Sequence, residues 1–498
     1  MTGLTGRIRT TVRVAVEAAR NPALRRAELA FLTFNTVEYG SWVAILIYAY
    51  GATGPASVGI VALAQLLPAA VVAPLAGTRG DRYPRERVLL AAYVLLTVFT
   101  AMTAAGMLLG LNPLAVYLAA ILAAMSLTLV RPTQNALLPS LARTPEELTA
   151  ANAVSSIAEA GGLLMGPLSA AVILSFSTPG AVTALLAGTA AVGAALVLGL
   201  RPDRAAAPRT PDADPGQVDA ARERAIVAGF RALAHDADAR LVVTILAART
   251  LLIGVTDVLF VILAIDLFGT GESGAALLSA ALGAGGIIGG AAAFMLVGQR
   301  PIAPVLLACA AAWGLAFGIM GIVGSGTLAP LLLIAGGTGL TVMDVAGRTI
   351  LQRGVRDDVL ARVFGILEGL MMAALAVGSI LVPLVIAVTG LGGAVIVFAL
   401  LLPAIVLLTW PGLQALDRRS TVPRREIAIL RRLRLFEALD PPAMETLGRA
   451  ATWITMQPGT AIIREGVSGD CFYALETGAV TVSRGGSPIR TLTPEGDG

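Results

Sequence analysis

Twelve long apolar segments constrain this chain more than any other feature of its sequence. Each is close to the roughly 20 residues that a helix needs to cross the hydrocarbon core of a bilayer. They lie at about 28–50, 56–77, 88–109, 113–135, 152–175, 181–200, 241–267, 275–298, 302–323, 328–350, 362–387 and 392–412. Only 14% of the residues are charged and 56% are hydrophobic, proportions that exclude an ordinary soluble protein. The sequence therefore predicts an all-α polytopic membrane protein with twelve transmembrane helices.

Arginine is confined to one of the two sets of loops that connect these segments. Arg79, Arg143, Arg300 and Arg353 lie in connectors that follow even-numbered segments, whereas the connectors after odd-numbered segments contain no arginine. Because positive charge on short loops marks the cytoplasmic side, both termini are predicted to be cytoplasmic.

The loop after the sixth segment is long, basic and rich in proline and alanine, and it divides the bundle into two six-helix halves. Such a division predicts paired repeats. The predicted organisation is a basic amphipathic segment at 1–27, a six-helix half at 28–200, a cytoplasmic linker at 201–240, a second six-helix half at 241–413, a linker at 414–424 and a separate C-terminal segment at 425–498.

The loop after the second segment carries a recognisable charge pattern. Gly77, Asp81, Arg82 and Arg85 match the cytoplasmic signature G-x-x-x-D-R-x-G-R-R, so the chain resembles the major facilitator superfamily. The resemblance implies the major facilitator fold, and it implies that this loop helps to close the cytoplasmic side. An ordinary arginine-rich cytoplasmic loop is the alternative.

The fourth and fifth segments narrow this resemblance. The stretch 131–139, the stretch 148–152, and Gly162, Gly166 and Pro167 resemble the bacterial drug and siderophore exporter branch of that superfamily. Small residues let helices approach closely and proline kinks a helix, so packing alone is the alternative reading of the fifth segment. The stretch 336–368 is similar to the tenth and eleventh spans of the same branch, and the resemblance implies an exporter.

Ionisable residues at bilayer depth are costly and mark functional sites by default. Glu38 is the first candidate for proton coupling, because it lies midway along its helix with an amide, Asn35, on the same face. A buried carboxylate favours its neutral form, so it can load a proton on one side and release it on the other. The alternative is a carboxylate held by a structural partner such as Arg131 or Arg249. The further proton-coupling or substrate candidates are Arg131, Glu159, Arg249, Asp257, Asp344, Arg348 and Glu368.

Asp344 and Arg348 stand four residues apart, a spacing that predicts a local ion pair. The sequence contains no metal-ligand spacing, phosphate-binding loop or nucleophile triad, so no metal, cofactor or enzymatic activity is predicted. An ion gradient is then the expected energy source.

The C-terminal segment resembles the start of a cyclic-nucleotide-binding domain, with structural glycines at Gly459, Gly466, Gly478 and Gly496. Alternating apolar residues at 471–475 and the Gly485–Gly486 turn predict strands, hence a partial β-roll. In that family the phosphate-binding cassette follows the final Gly-Asp pair. A cyclic nucleotide is therefore expected as a partner only if a longer natural chain supplies the cassette. Truncation of a longer protein, completion by another copy and partial order are the alternatives.

These features together predict a proton-coupled exporter of amphiphilic small molecules that works by alternating access and is regulated by its C-terminal domain. The expected partners are the lipid bilayer, the substrate and protons, with no nucleic acid. Two alternatives stay open, namely a solute importer of the same fold and a non-transporting membrane sensor that signals through the C-terminal domain.

Overall fold

The computed structural model describes eleven stretches of the chain. These are residues 21–66, 84–200, 227–293, 303–354, 357–419, 424–436, 439, 441–464, 466, 471–485 and 487–494. Almost all of the part that corresponds to the apolar segments is helical.

The helices of the bundle are numbered α1 to α12 in chain order. They are α1 Pro22–Thr53, α2 Pro55–Leu66, α3 Arg85–Leu108, α4 Pro113–Leu141, α5 Pro145–Leu174, α6 Pro179–Val197, α7 Ala237–Ile262, α8 Gly271–Ala293, α9 Ala303–Val323, α10 Ala329–Gly354, and the two parts of Asp357–Leu408, which are α11 at 357–389 and α12 at 391–408. The division of the last element falls at Gly390, whose φ of 72° and ψ of 174° are not helical. A short helix at 227–235 precedes α7.

Ten helices in the described part of the chain are long and apolar enough to cross a membrane, and the tenth runs through the Gly390 kink. Counting α11 and α12 separately and adding the shorter apolar helix α2 gives twelve, which confirms the predicted fold class. The rest of the second predicted span lies outside the described residues.

Several helix starts are fixed by a polar cap followed by proline. Asn21 accepts hydrogen bonds at its side-chain oxygen from the backbone N–H groups of Ala23 and Leu24, at 3.1 and 3.4 Å. Capping of this kind satisfies amide groups that have no partner inside the helix. It explains why α1 begins at Pro22, six residues before the span predicted at 28–50.

The two halves of the bundle repeat one packing arrangement. In the first half α1 packs against α5, and α3 packs against α4 and α6. In the second half α7 packs against α11, and α9 packs against α10 and α12, so each contact recurs six helices later. The halves meet through contacts of α5 with α8 and of α1 with α7 and α8.

Glycine permits the closest helix contacts within each half. A Cβ added at Gly162 of α5 would lie 2.3 Å from the Cβ of Asn35 in α1. In the second half, a Cβ added at Gly254 of α7 would lie 2.0 Å from the carbonyl oxygen of Leu375 in α11. Both distances are far below contact, so a side chain at either position would push the helices apart.

After the bundle the chain forms α13 Trp410–Arg419, α14 Arg424–Leu430, a 3₁₀ turn at Arg434–Phe436 and α15 Pro441–Ala450. Strands β1 Val480–Arg484 and β2 Ser487–Leu492 then pair as an antiparallel hairpin with an irregularity between Val482 and Ser483. This two-stranded sheet is the part of the predicted partial β-roll that the described residues contain.

The strands predicted at 471–475 do not form, since this stretch has no regular structure. An alternating sequence becomes a strand only when a neighbouring backbone completes its hydrogen-bond ladder. Among the described residues the only paired strands are β1 and β2, so the alternation at 471–475 lacks that partner.

Candidate transport site

The two ends of the bundle are named here by the course of α1. The terminal face is the end at which α1 begins, and the distal face is the end at which it ends. Odd-numbered helices start at the terminal face and even-numbered helices return to it. The arginine-bearing connectors therefore lie on the terminal face, which the sequence predicts to be cytoplasmic.

Four side chains meet inside the first half, and we call them the amino-half cluster: Asn35 and Glu38 of α1, Arg131 of α4 and Glu159 of α5. One guanidinium nitrogen of Arg131, Nη2, lies 2.9 Å from Oε2 of Glu38 and donates to Oδ1 of Asn35 at 3.1 Å. The other, Nη1, lies 2.6 Å from Oε1 of Glu159. Arg131 thus joins carboxylates from two different helices.

Local structure holds this arginine in place. The Asn35 amide donates to the carbonyl of Phe31 at 2.7 Å, which turns its oxygen toward Arg131. The Arg131 guanidinium lies over the rings of Phe31 and Phe34, with its carbon 5.8 and 5.6 Å from the ring centroids, a favourable cation–π arrangement. Pro132 lies inside α4 directly after the arginine, and a proline there removes a helix hydrogen bond and permits bending.

The amino-half cluster is not sealed from solvent. The side chains of Glu38, Arg131 and Glu159 are 31%, 34% and 47% exposed. Side chains of the bundle interior with this exposure border open space between the helices.

A second group, the carboxy-half cluster, comprises Arg249 of α7, Asp344 and Arg348 of α10, and Glu368 of α11. Asp344 lies 3.3 Å from Nη1 of Arg249 and 3.2 Å from Nε of Arg348. Arg348 also reaches Glu368 at 3.3 Å, and Arg249 donates to the carbonyl of Leu340 at 3.1 Å. The predicted Asp344–Arg348 ion pair is confirmed.

The two clusters differ in charge balance. With every group ionised, the amino-half cluster has one cation and two carboxylates, whereas the carboxy-half cluster has two cations and two carboxylates. Uptake of one proton therefore neutralises the amino-half cluster. The same proton would leave the carboxy-half cluster with an excess positive charge.

Asp257 belongs to neither cluster in the described contacts. It lies on α7 beside the indole of Trp42 in α1, while Arg249 of the same helix pairs with Asp344. Asp257 and Arg249 therefore do not pair with each other in the described contacts.

The motif residues of the first half divide between described and undescribed parts of the chain. Gly77, Asp81 and Arg82 lie outside the described residues. Arg85 begins α3, and its Nη1 donates to the carbonyl of Ala136 in α4 at 2.6 Å.

The fifth-helix residues lie along the seam with α1. Gly162 and Gly166 both face α1, since a Cβ added at Gly166 would lie 2.6 Å from the backbone nitrogen of Gly40. Pro167 lies inside α5, directly after this contact.

The C-terminal glycines Gly459, Gly466 and Gly478 all have positive φ, between 84° and 96°, a conformation that L side chains disfavour. Gly496 lies outside the described residues.

A hydrogen bond at the distal face joins the two halves and was not predicted from the sequence. The Tyr50 hydroxyl donates to Oδ1 of Asp266 at 2.5 Å, linking the end of α1 to the end of α7. Asp266 lies in a π-helical turn, Leu263–Leu267, that ends this helix. The halves also touch near mid-membrane, where a Cβ added at Gly283 of α8 would lie 2.9 Å from the carbonyl oxygen of Leu163 in α5.

A second pair missed by the sequence reasoning is Glu28 of α1 with Ser155 of α5. Glu28 is only 5% exposed, and the Ser155 hydroxyl lies 2.8 and 2.9 Å from its two carboxylate oxygens. The signal was available, because Glu28 begins the first apolar segment, but it stands at the predicted edge of the span rather than at its centre.

Two repeated six-helix halves with charged clusters in their interiors define a polytopic membrane transporter fold. Residues 29–368 match the family described as the Major Facilitator Superfamily, and the chain belongs to this family. A comparison with curated proteins finds no match.

Solved structures of similar fold share little sequence with this chain. The nucleoside transporter NupG is 16% identical with a TM-score of 0.61, over 80% of this chain and 99% of that chain. A POT family transporter in complex with 5-aminolevulinic acid is 14% identical with a TM-score of 0.60, over 79% and 96%. A D-xylose–proton symporter is 14% identical with a TM-score of 0.59, over 78% and 97%. At these identities the likeness concerns the fold alone.

Proposed function

We propose that the protein is a proton-coupled exporter of amphiphilic small molecules in the bacterial cytoplasmic membrane. The observation that carries the proposal is Arg131 bound between Glu38 and Glu159, which come from different helices. One carboxylate in excess at a partly exposed position is the arrangement that a proton carrier needs, because its charge changes with each proton bound.

Proton binding changes the partners of Arg131. When Glu38 takes up a proton, its attraction for the guanidinium falls, and Arg131 then favours Glu159 and Asn35. Because Glu38 is on α1 and Glu159 on α5, this exchange alters the balance of forces between the two helices. Alternating access requires two packings of the bundle whose populations a bound ligand can shift, and the proton supplies the difference in binding free energy.

The contacts between the two halves support a conformation that is closed at the distal face and open toward the terminal face. The Tyr50–Asp266 hydrogen bond lies at the distal face, and the contact of Gly283 with Leu163 lies near the centre. With the terminal face cytoplasmic, this is the state that admits substrate from the cytoplasm. The loop carrying Gly77, Asp81, Arg82 and Arg85 would then close the terminal face when the transporter opens outward.

The C-terminal segment would adjust transport through α13, the helix that lies between it and the bundle. Arg425 of α14 bonds both carboxylate oxygens of Glu476, at 2.6 and 2.5 Å, and lies 4.4 Å from the ring centroid of Trp453. Glu476 raises the pKa of Arg425, so the guanidinium stays charged. These contacts lie within the C-terminal segment and hold α14, its first helix, against the later part of the segment.

The test is dye accumulation by everted membrane vesicles with an acidic lumen. Ethidium, acriflavine and Nile red serve as probes because all three are amphiphilic and fluorescent. Wild-type vesicles should accumulate dye only while the pH gradient persists, and Glu38→Gln should abolish this accumulation. The matched control is Glu147→Gln, since Glu147 lies at the start of α5 outside the cluster, and it should behave as wild type.

The importer alternative has one supporting observation, the fold shared with a D-xylose–proton symporter. Right-side-out vesicles separate the two directions, because an importer would accumulate solute there under an outside-acidic gradient. Movement of no dye in either orientation would reject the exporter proposal and favour the importer and sensor alternatives.

A further inference from the structure

The α1–α5 seam carries a buried carboxylate that the proposed mechanism leaves unused. Glu28 is 5% exposed, and its described hydrogen-bond partner is the hydroxyl of Ser155. A hydroxyl has a single proton and donates to only one oxygen at a time. An ionised Glu28 therefore receives only one hydrogen bond from Ser155 at a time. A protonated Glu28 can instead donate its own proton to the Ser155 oxygen.

Among the residues that the structure describes, the arginines of this part of the bundle are engaged elsewhere or exposed. Arg26 donates to the carbonyls of Leu196 and Leu198 at the end of α6, and Arg25 is exposed. Arg131 is shared by Glu38 and Glu159. Burying an ionised carboxylate without a cation is costly, so the surroundings of Glu28 favour a bound proton.

The polar groups that face this part of α1 come from three helices. Gln134 of α4 donates to the carbonyl of Ala27 at 3.1 Å, and Tyr93 of α3 donates to the carbonyl of Ala30 at 2.6 Å. On α5 the titratable neighbour is Glu159, one turn from Ser155. Neither Gln134 nor Tyr93 adds a positive charge that would hold Glu28 ionised.

The register of the seam places Glu28 directly on the terminal side of the amino-half cluster. Helices α1 and α5 run in parallel, with Ser155 opposite Glu28, a separation of 127 residues. Gly162 packs against Asn35 in the same register. Glu159 follows Ser155 by four residues, a rise of about 6 Å on the same face of the helix.

The seam is closed on the distal side of the cluster and has its next titratable group on the terminal side. Gly162 and Gly166 bring the α5 backbone into direct contact with α1 at Asn35 and Gly40. A proton that leaves Glu159 along this seam therefore meets Ser155 and Glu28 next. Beyond Glu28, α1 has six further residues before it begins at Pro22, about 9 Å from the terminal face.

We propose that Glu28 is a second proton-binding residue, through which protons pass between the amino-half cluster and the terminal face. In the forward step the proton leaves the Glu38 carboxyl, passes by way of Glu159 and water beside Ser155, and binds an oxygen of the Glu28 carboxylate. Glu38 regains its charge and its full ion pair with Arg131. Release to water at the terminal face returns Glu28 to the carboxylate. The inference rests on the proposed proton coupling for its transport role, but proton binding by Glu28 can be tested without any substrate.

The first experiment measures protonated carboxyl groups by infrared difference spectroscopy between acidic and alkaline buffer, on the full chain in lipid nanodiscs. The wild type should show a carboxyl C=O band that disappears in alkali. Glu28→Gln should lack one component of this band. Ser155→Ala should shift that component to higher frequency, because the carboxyl loses its hydrogen bond while the carboxylate stays in place.

The control is Glu147→Gln, whose carboxylate accepts from the Arg143 backbone N–H and the Asn21 amide, each at 2.9 Å. These two donors lower the pKa of Glu147, so its substitution should leave the band unchanged. An unchanged band in Glu28→Gln would overturn the proposal. A carboxyl band that Ser155→Ala leaves unchanged would also overturn the proposal. This second variant keeps the proposal testable if Glu28→Gln does not fold.

The second experiment compares driven and passive dye movement. Gradient-driven accumulation should fall about tenfold or more in Glu28→Gln, as expected for loss of a positioned proton-transfer group. Exchange of dye without a gradient should continue, because the substrate path is intact. Full gradient-driven accumulation in Glu28→Gln would overturn the transport role. If the wild type moves no dye, the exporter proposal fails, and the infrared result still decides whether Glu28 binds a proton.

Discussion

The two halves of the bundle place an arginine on the fourth helix and a glutamate on the fifth, yet they balance the charges differently. In the first half Arg131 binds Glu159 and also takes a carboxylate from α1, Glu38. In the second half Arg348 binds Glu368, and α7 contributes a second arginine, Arg249, through Asp344.

This difference separates a structural role from a proton-binding one. A balanced set of ion pairs has all its charges compensated, so adding a proton costs free energy. A set of ion pairs with one carboxylate in excess is instead stabilised by binding a proton. One skeleton of helices can thus hold a stable ion-pair network in one half and a proton site in the other.

The largest effect should come from removing the arginine of each half. Arg131→Gln leaves Glu38 and Glu159 without a counterion, so we expect destabilisation of about 1–3 kcal/mol, below the value for fully buried pairs because these side chains are partly exposed. Arg348→Gln should cost less, since Asp344 keeps Arg249 and Glu368 is 71% exposed. Thermal unfolding in detergent measures both, and equal losses would remove the distinction between the halves.

The next effect concerns transport rather than stability. Glu38→Gln leaves Arg131 paired with Glu159. The amino-half cluster then has equal numbers of positive and negative charges, as the carboxy-half cluster does. The melting temperature should therefore stay within about 3 °C of the wild type, while accumulation driven by the pH gradient is lost.

Glu368→Gln is the matched variant in the second half. It removes an exposed carboxylate and should reduce accumulation by no more than about threefold, the range of surface ion pairs. Both variants are measured in the same vesicles. A greater loss of dye accumulation in Glu368→Gln than in Glu38→Gln would assign the proton site to the second half and contradict the proposal.

Much of the fold could be predicted from the sequence because bilayer thickness and loop charge are properties of continuous segments. Twelve segments of the right length identified the helices, and the Asp344–Arg348 pair followed from a spacing within one helix. The pairing of Arg131 with Glu38 was one of two open alternatives, since it depends on how α1 and α4 pack. Glu28 with Ser155 and Tyr50 with Asp266 were missed, because each pair joins helices that are distant in the sequence.

The third prediction tests whether the two halves depend equally on their glycine seams. Gly162→Ala and Gly254→Ala each place a methyl group against the partner helix, at 2.3 and 2.0 Å in the present packing. We expect each to cost about 1–2 kcal/mol, at the lower end of the range for overpacked cores. Gly188→Ala and Gly369→Ala are the controls, one in each half, because a Cβ added there meets nothing within 4 Å.

Thermal unfolding again supplies the measurement for these four variants. Alanine has the higher helix propensity, so the controls should be unchanged or slightly stabilised. A loss in only one half would show that the seams are not equivalent, and a loss in the controls would assign the effect to glycine in general.

The smallest effect should come from the contact that joins the halves. Tyr50→Phe removes the hydroxyl that donates to Asp266 and leaves the aromatic ring. A hydrogen bond of this kind contributes about 1 kcal/mol, so the population of the distally closed state should fall about fivefold relative to the open state. Neither charge cluster is touched, and the pH dependence of transport should therefore keep its shape.

Labelling of a cysteine introduced by Ser57→Cys, close to the end of α1, reports how often the distal face opens. Faster labelling in Tyr50→Phe, with an unchanged pH profile, would separate the gate from the proton site. The matched variant Thr53→Val removes a hydroxyl that bonds Tyr117 within the first half at 2.9 Å and should not change the labelling rate. If both variants opened the distal face equally, the Tyr50–Asp266 bond would have no special role in holding the halves together.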